Sequence, residues 1–99
     1  MFELRYAEDS EAELKALRKF DRQTVIEHIE EQLPHEPGKE TRNRKRLTGL
    51  KPPWSAVGES WELRIGEIRV FYDIDKAEKI VTIRAVRKKL PHQATEDIL

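Results

Sequence analysis

Trp61-Glu62-Leu63-Arg64-Ile65-Gly66-Glu67-Ile68-Arg69-Val70-Phe71-Tyr72-Asp73-Ile74-Asp75 is the stretch from which the fold is read. Trp61, Leu63 and Ile65 alternate with Glu62 and Arg64, the period of two expected of a strand with one buried face. Gly66-Glu67 then supplies a Gly-X pair suited to a tight hairpin turn, because glycine enters the required backbone region without steric cost. Ile68, Val70, Tyr72 and Ile74 form the apolar face of a second strand. Asp75-Lys76-Ala77-Glu78 reads as another turn, and Lys79 to Val86 as a third strand with Val81, Ile83 and Ala85 on one side. The three make an antiparallel meander. The same alternation assigns Arg64, Arg69, Phe71, Asp73, Thr82 and Arg84 to the other face of the sheet.

Upstream, Phe2, Leu4 and Tyr6 alternate with Glu3 and Arg5, which predicts a further strand. Ser10-Glu11-Ala12-Glu13 fits a capping box at the start of a helix carrying Leu14, Leu17 and Phe20. Asp21 fits the cap of a second helix that carries Val25, Ile26, Ile29 and Leu33 and is stopped by Pro34. Residues 34–60 form a punctuated connector holding the basic run Arg42-Asn43-Arg44-Lys45-Arg46, with Leu47, Leu50, Trp54 and Val57 available to pin it. The order of elements predicts one α+β domain over residues 1–99, with a strand, a two-helix hairpin and a three-stranded meander. The helices are expected on one face of a mainly antiparallel sheet.

The chain has 99 residues, 37% hydrophobic and 38% charged, with no cysteine. A domain of this size buries roughly 65% of the surface of its unfolded chain, so one modest core with a highly charged surface is expected. The absence of cysteine excludes disulfides and thiolate zinc sites. No basic segment followed by an apolar stretch opens the sequence, and no apolar run approaches the ~20 residues of a membrane span. The cytoplasm is the expected location, without membrane association. Residues 1–40 carry 6 Lys/Arg against 11 Asp/Glu, a net of −5, whereas residues 41–99 carry 13 against 8, a net of +5. The basic part has the charge of a polyanion site, with ordinary surface charge the alternative.

Several side chains carry candidate chemistry. Arg64, Arg69 and Arg84 on neighbouring strands of one face repel unless paired with carboxylates such as Glu62 and Asp73, or held ready for a phosphate. Both arrangements are open on the pattern alone. The run containing Arg42, Arg44, Lys45 and Arg46 and the triplet Arg87-Lys88-Lys89 flank that face and suit a nucleic-acid backbone. Phe71 on the polar face is the candidate for stacking on a base, while Phe20, Trp54, Trp61 and Tyr72 fit core or sheet positions. His92 follows the last strand, and a free imidazole titrates near neutrality, as a proton carrier in phosphodiester cleavage requires. His28 and His35 read as structural or solvated. No phosphate-cradling glycine motif, calcium loop or metal-ligand spacing is found, and no metal or small-molecule cofactor is expected.

Arg46-Leu47-Thr48-Gly49-Leu50 and the quoted stretch from Trp61 to Asp75 resemble the central signature of RelE/ParE superfamily toxins, the toxic halves of type II toxin-antitoxin pairs. The resemblance runs from the first strand through the last. It implies a RelE-like fold and a cognate antitoxin that wraps the toxin. In the RelE branch it further implies a metal-independent endoribonuclease, an mRNA interferase that acts on the ribosome and inhibits translation. Arg69 then matches the family's phosphate-stabilising arginine, Lys89 a further basic position, and His92 stands for the C-terminal acid/base group. Arg42, Arg44, Lys45, Arg46, Arg64, Phe71, Arg84, Arg87 and Lys88 would bind RNA. The sequence departs from that branch at Glu62, where some members have lysine, and near Thr95, where the RelE type has tyrosine. The ParE branch shares the fold, lacks the nuclease residues and poisons DNA gyrase. RNA cleavage is the first expectation, gyrase inhibition its rival, and a non-toxic binding module of the same fold the third.

Overall fold

The computed structural model describes every residue from Met1 to Leu99. Its elements are β1 (Glu3–Tyr6), α1 (Glu8–Ala16), α2 (Lys19–Gln32), β2 (Arg44–Arg46), β3 (Glu59–Ile65), β4 (Ile68–Asp75), β5 (Ile80–Lys88) and α3 (Thr95–Ile98). They form one five-stranded sheet in the order β1-β5-β4-β3-β2. The β3-β4-β5 meander is antiparallel as expected, with Gly66 in the left-handed region at its first turn. β1 pairs in parallel with β5, so the first and last strands lie side by side, while the helices that follow β1 lead the chain across to β2 at the opposite edge. Two elements are additional to the expectation: the three-residue edge strand β2 and the single turn α3.

The helices cover one face. Leu14, Val25, Ile29 and Leu33 pack with Trp61, Leu63, Val70, Tyr72, Ile74, Val81, Ile83 and Val86 into one buried cluster. Trp61 and Tyr72 are cross-strand partners whose rings stack with centroids 6.4 Å apart. Both helix starts differ from the expected ones. α1 begins at Glu8 with Ala7 as its cap, and the buried Ser10 hydroxyl instead donates to the Ala7 carbonyl at 2.7 Å. Glu13 is not part of a capping box because it turns to β5, where it accepts the Val86 N–H at 3.0 Å and pairs with Arg87. β1 stops at the level of Ile83, so Val86 has no strand partner on that side and Glu13 takes the place of one. α2 begins at Lys19, which puts Asp21 in the first turn rather than at the cap. Phe20 is 77% exposed and Val57 is 53% exposed, so neither belongs to the core.

A bulge corrects the expected reading of β5. Phe71 pairs with Ala85 and Tyr72 with Ile83, so Arg84 is an extra residue between the two pairs. Ala85 therefore turns to the face opposite the helices, Val86 enters the core, and Arg87 comes level with Arg69. Without the bulge, Ala85 would face the helices and Val86 would not.

The connector after α2 is pinned from beneath by Tyr72, whose buried hydroxyl donates to the Pro37 carbonyl at 2.9 Å. Burial pushes that hydroxyl far above the usual tyrosine range, so it stays protonated and serves only as a donor in this bond. Tyr72→Phe leaves a buried carbonyl without its donor, and the expected cost is about 1 kcal/mol in urea denaturation with unchanged far-ultraviolet dichroism. A variant as stable as the parent would show that the bond contributes nothing net.

Candidate functional site

The face opposite the helices is where the sequence places an arginine cluster, and strand register decides which side chains reach it. Arg64, Arg69 and Arg87 lie in one cross-strand row on β3, β4 and β5. The next row contains Lys45, Glu62, Phe71 and Ala85, and beyond it Ser60, Asp73, Thr82 and Arg5. Of the expected nucleic-acid residues, three fall on the other face. Arg44 stands opposite Leu63 and donates to the Glu36 carbonyl at 2.8 Å. Arg46 stands opposite Trp61 and pairs with Glu59 at 3.6 Å. Lys88 stands opposite Ile68 and pairs with Glu67 at 3.7 Å. In each case the alternation of a strand that the sequence did not reveal, or the bulge in one that it did, turns the side chain to the helical side. The Trp61 indole N–H, with Lys76 and Arg46, holds the Glu59 carboxyl below the usual range against the opposing effect of burial.

The face is not bare. Glu62, Phe71, Asp73 and Ala85 are at most 3% exposed, because the segment 47–58 and the C-terminal residues fold across them. Asp73 is the anchor of this cover. Its carboxylate accepts the Trp54 indole N–H at 3.3 Å, the Val57 backbone N–H at 3.2 Å, the Ser60 hydroxyl at 3.3 Å and the Arg84 Nε–H at 2.8 Å. Arg84 also reaches the Ser55 carbonyl, so its guanidinium is spent on the protein's own loop. The Trp54 ring lies against Phe71 at a centroid distance of 6.2 Å and a tilt of 52°. Phe71, expected to stack on a base, is instead fully buried beneath that indole. On the other flank the Thr95 hydroxyl donates to Glu62 at 3.1 Å, with Lys45 at 3.7 Å from the same carboxylate. The two positions that depart from the RelE-type pattern thus bond to each other.

The remaining cations differ in freedom. Arg87 is tied to Glu13. Arg69, expected at the solvent, is 7% exposed and donates from Nη1 to the carbonyls of Gly66 at 2.7 Å and Ile68 at 3.2 Å. Burial, with Arg64 nearby, draws its pKa below the usual guanidinium range, partly offset by Glu62, yet far from any loss of charge at neutral pH. Arg64 is exposed and makes no ion pair, and the same holds for Arg42 in the turn before β2. Lys89 extends the β4-β5 pairing through its backbone N–H to the Glu67 carbonyl at 2.7 Å, without an ion pair of its own. His92 is exposed in the turn closed by Leu90 and Gln93 and has no hydrogen-bond partner. Arg42, Asn43, Arg44, Lys45, Glu62 and Arg64 line a cleft of about 30 Å³, room for a water molecule or two and not for a nucleotide.

A small α+β domain with a helical hairpin on one face of a five-stranded sheet is the fold of RelE-like toxins. The solved structures it resembles have that fold. The RelBE2 toxin-antitoxin complex of Mycobacterium tuberculosis aligns with a TM-score of 0.69 at 23% identity, over 89% of this chain and 98% of that one. The archaeal RelE-RelB complex of Pyrococcus horikoshii gives 0.72 at 18% identity, over 91% and 97%. The isolated RelE toxin of Escherichia coli gives 0.71 at 17% identity, over 94% and 89%. No curated protein matches the sequence. The profile described as ParE toxin of type II toxin-antitoxin system, parDE, matches residues 4–90, and the chain belongs to that family of toxins.

Asp73→Ala removes the acceptor of four donors and leaves the Arg84 guanidinium without its carboxylate. The expected loss is about 3–5 kcal/mol in urea denaturation, the range for breaking a buried pair by removing one partner. Trp54, released from Phe71, should shift its fluorescence to the red in the folded protein. A small loss with unshifted emission would mean that the cover is held by something other than Asp73.

Proposed function

We propose that this toxin arrests growth by binding a cellular target rather than by cutting RNA, that DNA gyrase is the target, and that a cognate antitoxin neutralises it. The closure of the sheet face carries the reading. Cleavage of a phosphodiester needs a nucleotide seated with a base at the 2′-hydroxyl and an acid at the leaving oxygen. Here the centre of that face is filled by Trp54, Phe71 and the Asp73 hub, and Glu62 is held by Lys45 and Thr95. A toxin that works by contact needs no such seat. Gyrase follows from the ParE branch of the family, and an antitoxin from the toxin-antitoxin class, with the RelBE complexes among the similar structures as further support.

RNA cleavage on the ribosome is the second reading, favoured by Arg64 standing exposed and unpaired beside Arg69. In that reading Arg69 stabilises the phosphate, and Lys89 and His92 move protons. Induction of the chain without an antitoxin separates the two. Growth arrest with intact ribosome-bound messenger, together with loss of supercoiling by purified gyrase on adding the protein, is the expected result. Arg69→Ala, checked for folding by thermal denaturation, should still arrest growth. Messenger cut within minutes, and spared by a folded Arg69→Ala protein, would replace this reading with cleavage. Unimpaired growth would remove both and leave the binding module.

A further inference from the structure

The two edges of the sheet are guarded differently. β2 closes one side with Arg44, Lys45 and Arg46, so a second copy pairing there would set cations against cations. β1 closes the other side without such a charge. The Glu3 N–H donates to the Lys79 carbonyl just before β5 and the Ala7 N–H to the Ile83 carbonyl within it, both at 2.9 Å. Alternation along a strand therefore turns the N–H and C=O groups of Leu4 and Tyr6 away from β5, to the side that has no strand. Only the start of that side is engaged, where the Phe2 N–H donates to the Pro34 carbonyl at 2.8 Å. The edge carries no proline, lysine or bulge to discourage a further strand.

We propose that β1 pairs with β1 of a second copy of this chain, antiparallel and centred on Leu4, joining the two sheets into one. Phe2-Glu3-Leu4-Arg5-Tyr6 is complementary to its own reverse. In that register Leu4 stands opposite Leu4 of the second copy, Glu3 opposite Arg5, and Tyr6 opposite Phe2. The Leu4 pair exchanges two backbone bonds across the two-fold axis, and each Tyr6 N–H meets the carbonyl of a Phe2 whose own N–H is already spent on Pro34. Glu3 and Arg5 are about 60% exposed on the face away from the helices and pair only with each other, so association exchanges each local ion pair for one across the interface. A shift of two residues either way sets Arg5 against Arg5 or Glu3 against Glu3, and the charges thereby select the register. On the helical face Leu4 and Tyr6 extend the margin of the core, and a groove of about 370 Å³ beside Tyr6, floored by Leu14 and Ile26, has room for the Phe2 ring of the second copy. The formal net charge of zero sets no overall repulsion between copies. The pairing is independent of which target mediates growth arrest.

One short strand from each copy buries less than about 1,000 Å², so the dimer should be weak, with a dissociation constant on the order of 10–100 µM. Sedimentation equilibrium of the full chain tests it between about 5 µM and about 1 mM, with monomer expected at the low end and dimer at the high end. Arg5→Glu and Glu3→Arg each set like charges across the interface twice, and each should weaken association about tenfold or more. Mixed in equal amounts, these two variants should associate with each other, because a β1 with two cations then meets a β1 with two carboxylates. The exchanged double variant Glu3→Arg/Arg5→Glu is again complementary to itself and should dimerise as the parent does. Hydrogen exchange at the Leu4 amide should slow as the concentration of the parent rises. A monomer at the highest concentration would overturn the proposal and leave the edge to a strand of a different protein. So would a dimer that both single variants form as strongly as the parent, since its interface would lie elsewhere. Failure of both the mixture and the double variant to associate, with all variants folded by circular dichroism, would overturn it as well.

Discussion

A carboxylate removed from water must be surrounded by donors, and meeting that demand at Asp73 organises the second face of the sheet. Asp73 is 1% exposed, and its four donors come from the connector, β3 and β5. No single segment supplies them, so the bonds form only when the loop 47–58 crosses the sheet and Arg84 reaches Asp73 from β5. The hub therefore couples a long connector to the meander. This gives a sheet with two covered faces in a chain of 99 residues, one covered by helices and the other by a loop and the C-terminal turn.

The consequences differ for the two faces. On the helical side, apolar side chains interdigitate, and a polar group such as the Tyr72 hydroxyl is tolerated because one backbone carbonyl meets it. On the other side, Phe71 and Ala85 are the only apolar residues of the central rows, and burial there is achieved by polar bonds with Trp54 as the lid. Such a face is specific in shape, since its buried carboxylates have fixed partners. It is also a poor seat for chemistry, since its carboxylates and two of its arginines, Arg84 and Arg87, are already engaged.

Much of this architecture was legible in the sequence, and the failures have identifiable causes. The alternation from Trp61 to Asp75 was readable because the helices bury one face strongly, which makes the in-out pattern sharp. The arginine row was therefore partly foreseen. β2 escaped because Arg44-Lys45-Arg46 has no apolar residue to mark a face, and its strand state comes wholly from pairing with β3. The bulge escaped because an extra arginine before Ala85 continues an alternating pattern as well as a regular strand would. The capping box failed because Glu13 found stronger partners on β5 than at the start of its own helix. The cover had a readable signal: Phe71 on a supposedly polar face, with Trp54 in the connector, already implied that something folds over it. The role of Lys89 rested on resemblance and that of His92 on its place after the last strand and on imidazole chemistry, and neither side chain makes an ion pair or hydrogen bond that would fix it in a reaction geometry.

The arginine row shows why the usable charge ends up at the margin. Three guanidinium groups on adjacent strands cannot all remain solvated once the centre is covered, and each meets the constraint differently. Arg87 lies beside α1 and takes Glu13. Arg69, in the middle, has no carboxylate in reach of its hydrogen bonds and turns to the carbonyls of the hairpin it belongs to, leaving Nε unpaired. Its charge persists with little solvent to screen it. Arg64, nearest the β2 edge, stays in water, where it joins Lys45 and the turn that carries Arg42. Positive potential is thereby excluded from the covered interior of the face and concentrated along its edge.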